Sequence, residues 1–364
     1  MGYEHHGCVH ENGNIEKDLI PTSSPELVVQ PGDDAFHLAD HVVGDFEWWY
    51  FDLFDERSGC FLKIVIHIGT DPLRTKVFPQ LAISVSTPGG NKNYFQPYHL
   101  RDIEADTRKC NISIGEDVTI RAEHDHPLVY FLKIDIQGFT CNLKFVSELE
   151  GWKPLGTEIP FRIGRKSGRF SWIIPQPKAH VEGDFTCQGK KYVMRDALGY
   201  HDHNYIRVDK KRPLHLDELV TRWYWGRCHV EGYTLIFMDT YCKTNRILSV
   251  LVADDKNIIH SSNNMIDCLV SATEEDQSLG TEYPSSIMIQ LKDPDLPLQA
   301  AFNSVRLLDS KDLLDGVNPL LKWLIKTLVA RPAYHGVFAK VRLNISDQSV
   351  DGFGSYESMV FRNK

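Results

Sequence analysis

From Phe61 onward the chain alternates apolar and polar side chains with a period of two. Leu62, Ile64, Ile66 and Ile68 share one face of an extended segment, while Lys63 and His67 lie opposite. This predicts a half-buried strand. The pattern returns at Tyr130, Leu132, Ile134 and Ile136, opposed by Lys133 and Asp135, and again at Cys141, Leu143 and Phe145, opposed by Asn142 and Lys144. Gly138 marks a hairpin between those two runs, so this part predicts an antiparallel meander. A second series is expected over 222–230, 233–241, 246–253, 265–272, 286–292, 301–308, 337–345 and 356–361. Eight short strands are enough for a barrel of their own.

One helix stands out. Asn318 suits an N-cap and Pro319 the first helical position, and Leu320, Leu321, Trp323, Leu324, Ile325 and Leu328 form an apolar face before Pro332. So broad a face predicts packing against a barrel. Residues 1–34 hold no sustained apolar period and read as an N-terminal tail. The expected fold is therefore all-β with few helices: two antiparallel β-barrel domains, 35–188 and 189–364. Two domains are also the expectation from a length of 364 residues. An apolar groove between the halves, or inside one barrel, is the natural ligand site.

Composition narrows the partners. The formal charge of -9 comes with no long Lys/Arg block, which argues against the electrostatic footprint of nucleic-acid binding. A small hydrophobic substrate fits better, given 18 Phe, 14 Tyr and 7 Trp. Eight cysteines without a Cys-x-x-Cys pair predict buried free thiols and a reducing cytoplasm. No apolar run reaches the length of a membrane span, and the N-terminus lacks a secretory leader. The expectation is a soluble cytoplasmic protein, with a peripheral membrane contact left open. Strand edges could be capped by the other domain or by a second subunit, so the oligomeric state stays open.

The chemistry concentrates in Gly199-Tyr200-His201-Asp202-His203-Asn204-Tyr205. In an extended segment Tyr200, Asp202 and Asn204 project to one side, and His201, His203 and Tyr205 to the other. An Asp inside an aromatic pocket loses the hydration of its charged form, which raises its pKa, and a neighbouring Tyr or Asn can hold the acid in place. The competing reading is a salt-bridged Asp in a tight turn. His201 and His203 have the spacing of two metal ligands on one strand face, with Glu47, His67 or His229 as candidates to complete a site. Catalytic zinc normally needs three protein ligands, so hydrogen-bonded histidines bracing the Asp202 segment are favoured and no metal is expected.

Two aromatic segments belong beside this one. In Glu47-Trp48-Trp49-Tyr50-Phe51-Asp52, one Trp faces each way in a strand. A buried Glu47 needs a partner; it either holds an Arg, with Arg222 and Arg227 as candidates, or faces a ligand. Trp223, Trp225, Arg227 and His229 share one face of the next such segment, where rings can stabilise a cation or a developing carbocation, or serve as core. His124-Asp125-His126-Pro127 reads as a turn without function. There is no dinucleotide fingerprint, phosphate loop or serine nucleophile elbow.

With these residues in view, the chain resembles the carotenoid 1,2-hydratase (hydroxyneurosporene synthase) family and its lipocalin-like relatives. The match rests on Glu47–Phe51, Trp172–Pro175, Val181-Glu182-Gly183, Gly199–Asn204 and Trp223–Arg227, in the same order over about residues 40 to 360. The resemblance implies two lipocalin-like (calycin) barrels with an apolar pocket near their junction, and no metal or organic cofactor. It places the proton donor on Asp202, with Tyr200 beside it. Tyr205-Ile206 departs from relatives that carry a small residue after the Asn, which puts the pocket mouth and the substrate in doubt.

The sequence thus predicts a cofactor-free lyase or isomerase of secondary metabolism, a hydratase or cyclase, in which Asp202 activates an unsaturated hydrophobic substrate by acid catalysis. Tyr200, His201, His203 and Asn204 are expected to orient it. Glu47, Trp48, Trp49, Tyr50, Trp172, Trp223 and Trp225 are expected to line the substrate site, with Arg227 at a polar end. The alternatives are a pericyclase or Diels-Alderase that acts mainly by folding its substrate, and a non-enzymatic lipocalin-like carrier.

Overall fold

The computed structural model describes residues 28–361 except 71–76, 124–127, 155, 157, 244, 264, 316–321 and 323–330. The expected helix after Asn318 and the His124–Pro127 turn lie outside the described residues. Twelve strands form the first sheet: β1 (Phe46–Asp55), β2 (Cys60–Thr70), β3 (Val77–Thr87), β4 (Gly90–Pro97), β5 (Ile103–Ala105), β6 (Asn111–Ile114), β7 (Val118–Glu123), β8 (Val129–Ile136), β9 (Phe139–Ser147), β10 (Ile159–Ile163), β11 (Lys166–Cys187) and β12 (Lys190–Val208). Nine form the second: β13 (Val220–Val230), β14 (Tyr233–Cys242), β15 (Arg246–Asp254), β16 (Ile258–Asn263), β17 (Ile266–Asp276), β18 (Thr281–Leu291), β19 (Leu298–Asp312), β20 (Ala333–Ile345) and β21 (Gln348–Val360).

Both sheets are antiparallel and curl into half-barrels, the all-β fold that the strand pattern predicts and the lipocalin-like form that the resemblance implies. The meander is present as β8 and β9, joined at Gly138. In the second half the period-two reading finds every strand but β16, whose residues are half-exposed and lack the apolar alternation. Among the described residues, the α-helical turn with both ends defined is α1 (Leu216–Leu219).

The domain boundary lies elsewhere than expected. Strand β12, placed by sequence at the start of the second domain, closes the first sheet by pairing with both β1 and β11. The chain passes to the second sheet only across 209–219. Alternation could not reveal this, because β11 and β12 are buried on both faces where they carry the site. One face packs into the first barrel's core with Trp49, Phe51, Tyr130 and Phe145. The other joins Tyr50, Trp152, Trp172 and Tyr200 to Trp225, Ile236 and Met238 of the second sheet.

The β2 strand departs from expectation for the same reason. Its apolar face is buried as predicted, but its polar face is covered by the second sheet rather than by water. Lys63 is only 6% exposed. Its ammonium lies 2.7 Å from Asp309 and donates to the Tyr334 hydroxyl at 2.6 Å. Glu357 is 3.8 Å away. Burial would lower the Lys63 pKa, but Asp309 and Glu357 outweigh it and hold it up. The seven described cysteines are free thiols, six of them buried.

Candidate active site

A cavity of about 780 Å³ lies between the two sheets, within the size range of small-molecule sites. The first sheet contributes Trp48, Tyr50, Trp172, Asp202 and Asn204, and the second contributes Trp223, Trp225, Met238 and Glu357. Strand pairing builds this wall. On β1 and β12, Tyr50 is opposite Asp202 and Trp48 opposite Asn204, while Trp172 on β11 is opposite Asn204 from the other side. Trp48 meets Trp223 edge-on at 5.9 Å, and Tyr50 meets Trp225 at 5.4 Å, so the aromatic wall is continuous across the sheets.

Asp202 is 5% exposed and takes three hydrogen bonds from neutral donors. Tyr200 donates to Oδ2 at 2.8 Å, Trp172 Nε1 donates to Oδ2 at 3.1 Å, and Asn204 Nδ2 donates to Oδ1 at 3.0 Å. Burial pushes its pKa up to about 8, against the pull of the Tyr200 and Trp172 bonds, and the nearby Glu357 and Asp52 carboxyls add to the rise. Such a carboxyl holds a proton at neutral pH. The salt-bridged alternative is not what the geometry shows, since no ion pair reaches Asp202 among the described residues.

The alternation expected for Tyr200–Tyr205 is present, and it separates residues that were expected to act together. Tyr200 is fully buried behind Asp202 rather than on the cavity wall. His201 and His203 point into the first barrel. His201 Nδ1 donates to the Tyr50 carbonyl at 2.9 Å, and Nε2 lies 3.2 Å from Asp34. His203 stacks on Trp49 at 4.6 Å, with Nε2 2.9 Å from Glu47 and Nδ1 3.3 Å from Asp34. These histidines hold the Pro31–Asp34 turn against the barrel, and neither touches Asp202. The Trp49 indole donates to the Asp34 carbonyl at 3.3 Å, so it too lies off the cavity.

Glu47 pairs with neither arginine. It accepts from the backbone N–H groups of His37 and Leu38 at 2.9 and 3.1 Å, besides facing His203. Burial would raise its pKa, but His203 and His37 outweigh burial and lower it. His37, Glu47 and His203 offer ligand atoms within 4.8 Å of one another and are the described group that could hold a metal ion. The Glu47 oxygens are already occupied by four N–H directions, which fits an anchor for the N-terminal segment. Arg227 does not reach the cavity either. It is buried against Asp52 of the first sheet, with its guanidinium 5.5 Å from the Tyr200 ring.

The cavity has a second polar region, formed by Lys63, His67, Asp309, Tyr334 and Glu357; sequence reasoning named only His67 of these, as a candidate metal ligand beside His201 and His203, and the structure places it on the cavity wall away from both. Lys63 could have been flagged with it, because a polar face on a strand next to Trp48 and Tyr50 is unusual for a solvated surface. Asp309, Tyr334 and Glu357 carried no local signal, since they come from three strands of the other sheet.

This arrangement defines a lipocalin-like protein with an aromatic, acid-bearing cavity between two sheets. No family model matches the chain. Hydroxyneurosporene dehydrogenase of Chlorobaculum tepidum is 27% identical over 235 residues, covering 56% of this chain and 58% of that protein. The chain thus spans little more than half the length of this curated relative. Among solved structures, CghA with Sch210972 matches at a TM-score of 0.65 and 13% identity, over 94% of this chain and 96% of that one. Kievitone hydratase from Nectria haematococca matches at 0.59 and 12%, over 93% and 98%. An AttH-type protein of Nitrosomonas europaea matches at 0.58 and 13%, over 94% and 98%. At these identities the structures share the fold. The partial match to the Chlorobaculum protein stands beside the motif resemblance, and the solved structures share the lipocalin-like fold.

Proposed function

We propose that this protein is a hydratase or cyclase in which Asp202 is the general acid for an unsaturated apolar substrate. The observation that carries this reading is a cavity-facing carboxyl held by three neutral donors and no cation. Oδ2 already accepts two hydrogen bonds, which leaves the acid proton to Oδ1, the oxygen with one. Protonation of a double bond leaves a carbocation, and the rings of Trp48, Tyr50, Trp223 and Trp225 supply the negative faces that stabilise it. Water addition gives a protonated alcohol that returns its O–H proton to Asp202, whereas attack by a second double bond closes a ring and leaves a new carbocation, which loses a proton from an adjacent carbon to Asp202 and forms an alkene. A positioned acid contributes about 10² to 10⁴ in rate, and the aromatic wall adds orientation.

In this reading Tyr200 and Trp172 position Asp202, and Asn204 orients its second oxygen. The hydratase name among the neighbours supports the assignment, whereas the dehydrogenase name of the Chlorobaculum relative calls for redox chemistry for which this sequence carries no dinucleotide fingerprint. Incubation of the protein with a panel of acyclic isoprenoid and polyene probes in H₂¹⁸O tests the reading. Labelled alcohol indicates a hydratase and an unlabelled isomer a cyclase. A panel returned chemically unchanged would leave only the carrier.

A further inference from the structure

The acid step leaves the cavity's second polar region unused, and within it the half-buried His67 carries a donor not yet accounted for. His67 on β2 lies opposite Trp48 on one side and Gln80 on the other, and its ring faces the cavity. Gln80 Nε2 lies 2.5 Å from His67 Nδ1. With the Gln80 amide nitrogen turned to the ring, Nδ1 is the acceptor and the ring proton sits on Nε2. Nε2 has no hydrogen-bond partner among the described residues. Burial, with Lys311 adding to it, pushes the His67 pKa down to about 4. The ring is therefore neutral at physiological pH and offers one N–H without a charge.

Room for this ring is built into the strand. A Cβ at residue 69 would come within 2.3 Å of His67 Cε1 and 2.5 Å of Nε2, so Gly69 is what lets the imidazole lie along β2. Trp48 pairs with both His67 and Asn204. The His67 and Asn204 backbones are thus two strand spacings apart, roughly 10 Å, with the Trp48 indole between them. A ligand lying across Trp48 meets the Asp202 acid at one end and the His67 N–H at the other.

We propose that His67 donates its Nε2–H to an oxygen acceptor on the ligand, so that the site takes an unsaturated chain bearing a carbonyl group in preference to a plain hydrocarbon. This rests on the reading of the cavity as a site for unsaturated apolar molecules, and it adds the functional group. A donor fixed in this way polarises a conjugated carbonyl from the end opposite Asp202 and sets the direction in which the chain enters.

The test uses the full chain and two probes: geranylacetone, and the hydrocarbon in which a methylene group replaces its ketone oxygen. Tryptophan fluorescence, with Trp48, Trp172, Trp223 and Trp225 on the cavity wall, reports binding. The ketone-to-hydrocarbon affinity ratio is expected to fall about tenfold in His67→Phe, the upper range for one hydrogen bond. His67→Gln, which keeps an amide N–H, recovers part of the ratio. Gln80→Leu, which releases the tautomer without touching the imidazole, lowers it. A ratio unchanged within twofold in His67→Phe overturns the proposal; should that variant not fold, an unchanged ratio in Gln80→Leu does so. If neither probe binds the wild-type protein, the reading of the cavity itself fails, and the two failures are distinct.

Discussion

Arg227 of the second sheet is buried in a two-point ion pair with Asp52 of the first, Nε donating to Oδ2 at 3.1 Å and Nη2 to Oδ1. The Tyr50 hydroxyl donates to the same Asp52 at 3.0 Å. The arginine also lies against the Tyr200 ring, whose hydroxyl holds Asp202. One cation therefore joins the two half-barrels and stiffens the support of the acid.

Removing that cation leaves a buried carboxylate without its partner, which typically costs about 3 to 5 kcal/mol. Arg227→Ala should lose stability on that scale in urea denaturation. A double variant with Asp52→Ala should recover part of the loss, because the orphaned charge is gone. A single-variant loss below about 1 kcal/mol, the range of exposed pairs, would mean that water reaches this clasp.

Asp202→Asn keeps the shape but not the proton. Turnover on any probe that the wild type converts should fall by about 10² to 10⁴, with the circular dichroism spectrum retained. Survival within tenfold would favour a cyclase that acts by folding its substrate.

The same group sets a pH dependence. The folded pKa is about 8 against an ordinary value of 3.8, so the folded state binds more protons between those limits. Stability conferred by this site is greatest at low pH and falls as pH rises through that window. Activity should likewise fall above about pH 8 as the acid ionises. Thermal melts at pH 6 and 9 should show a steeper decline for the wild type than for Asp202→Asn.

Trp172→Phe removes a hydrogen bond that favours the ionised form of Asp202. The alkaline limb of the rate profile should move to higher pH, with a smaller loss of turnover than in Asp202→Asn. A limb that moved down would reverse the role assigned to the indole.

His203→Gln separates support from chemistry. It leaves Asp34 and Glu47 short of a partner in the first barrel, at a cost of about 1 to 3 kcal/mol. Turnover per folded molecule should stay within about twofold. A hundredfold loss at unchanged stability would instead return His203 to the catalytic group.

Legibility in the sequence followed locality. Strand periodicity gave the all-β class and nearly every strand of the second half, since each strand's buried face is written within its own few residues. The alternation of Tyr200, Asp202 and Asn204 against His201 and His203 was readable for the same reason. Which side faced the cavity was not, because both sides are buried and both are aromatic. Trp49 and Trp48 are neighbours of identical type, yet one packs on His203 inside the barrel and the other lines the cavity.

The sequence alone determined that residues of acid and aromatic character alternate on strands, because a period of two is a property of the backbone. The tertiary structure decided which of them share a space. The pairing of β12 with β1 and β11 gave Asp202 its neutral donors, and the covering of β2 by the second sheet turned Lys63 and His67 from a solvated face into part of a cavity wall. Burial and hydrogen bonding fix the charge of a carboxyl, and both depend on strands far apart in the chain.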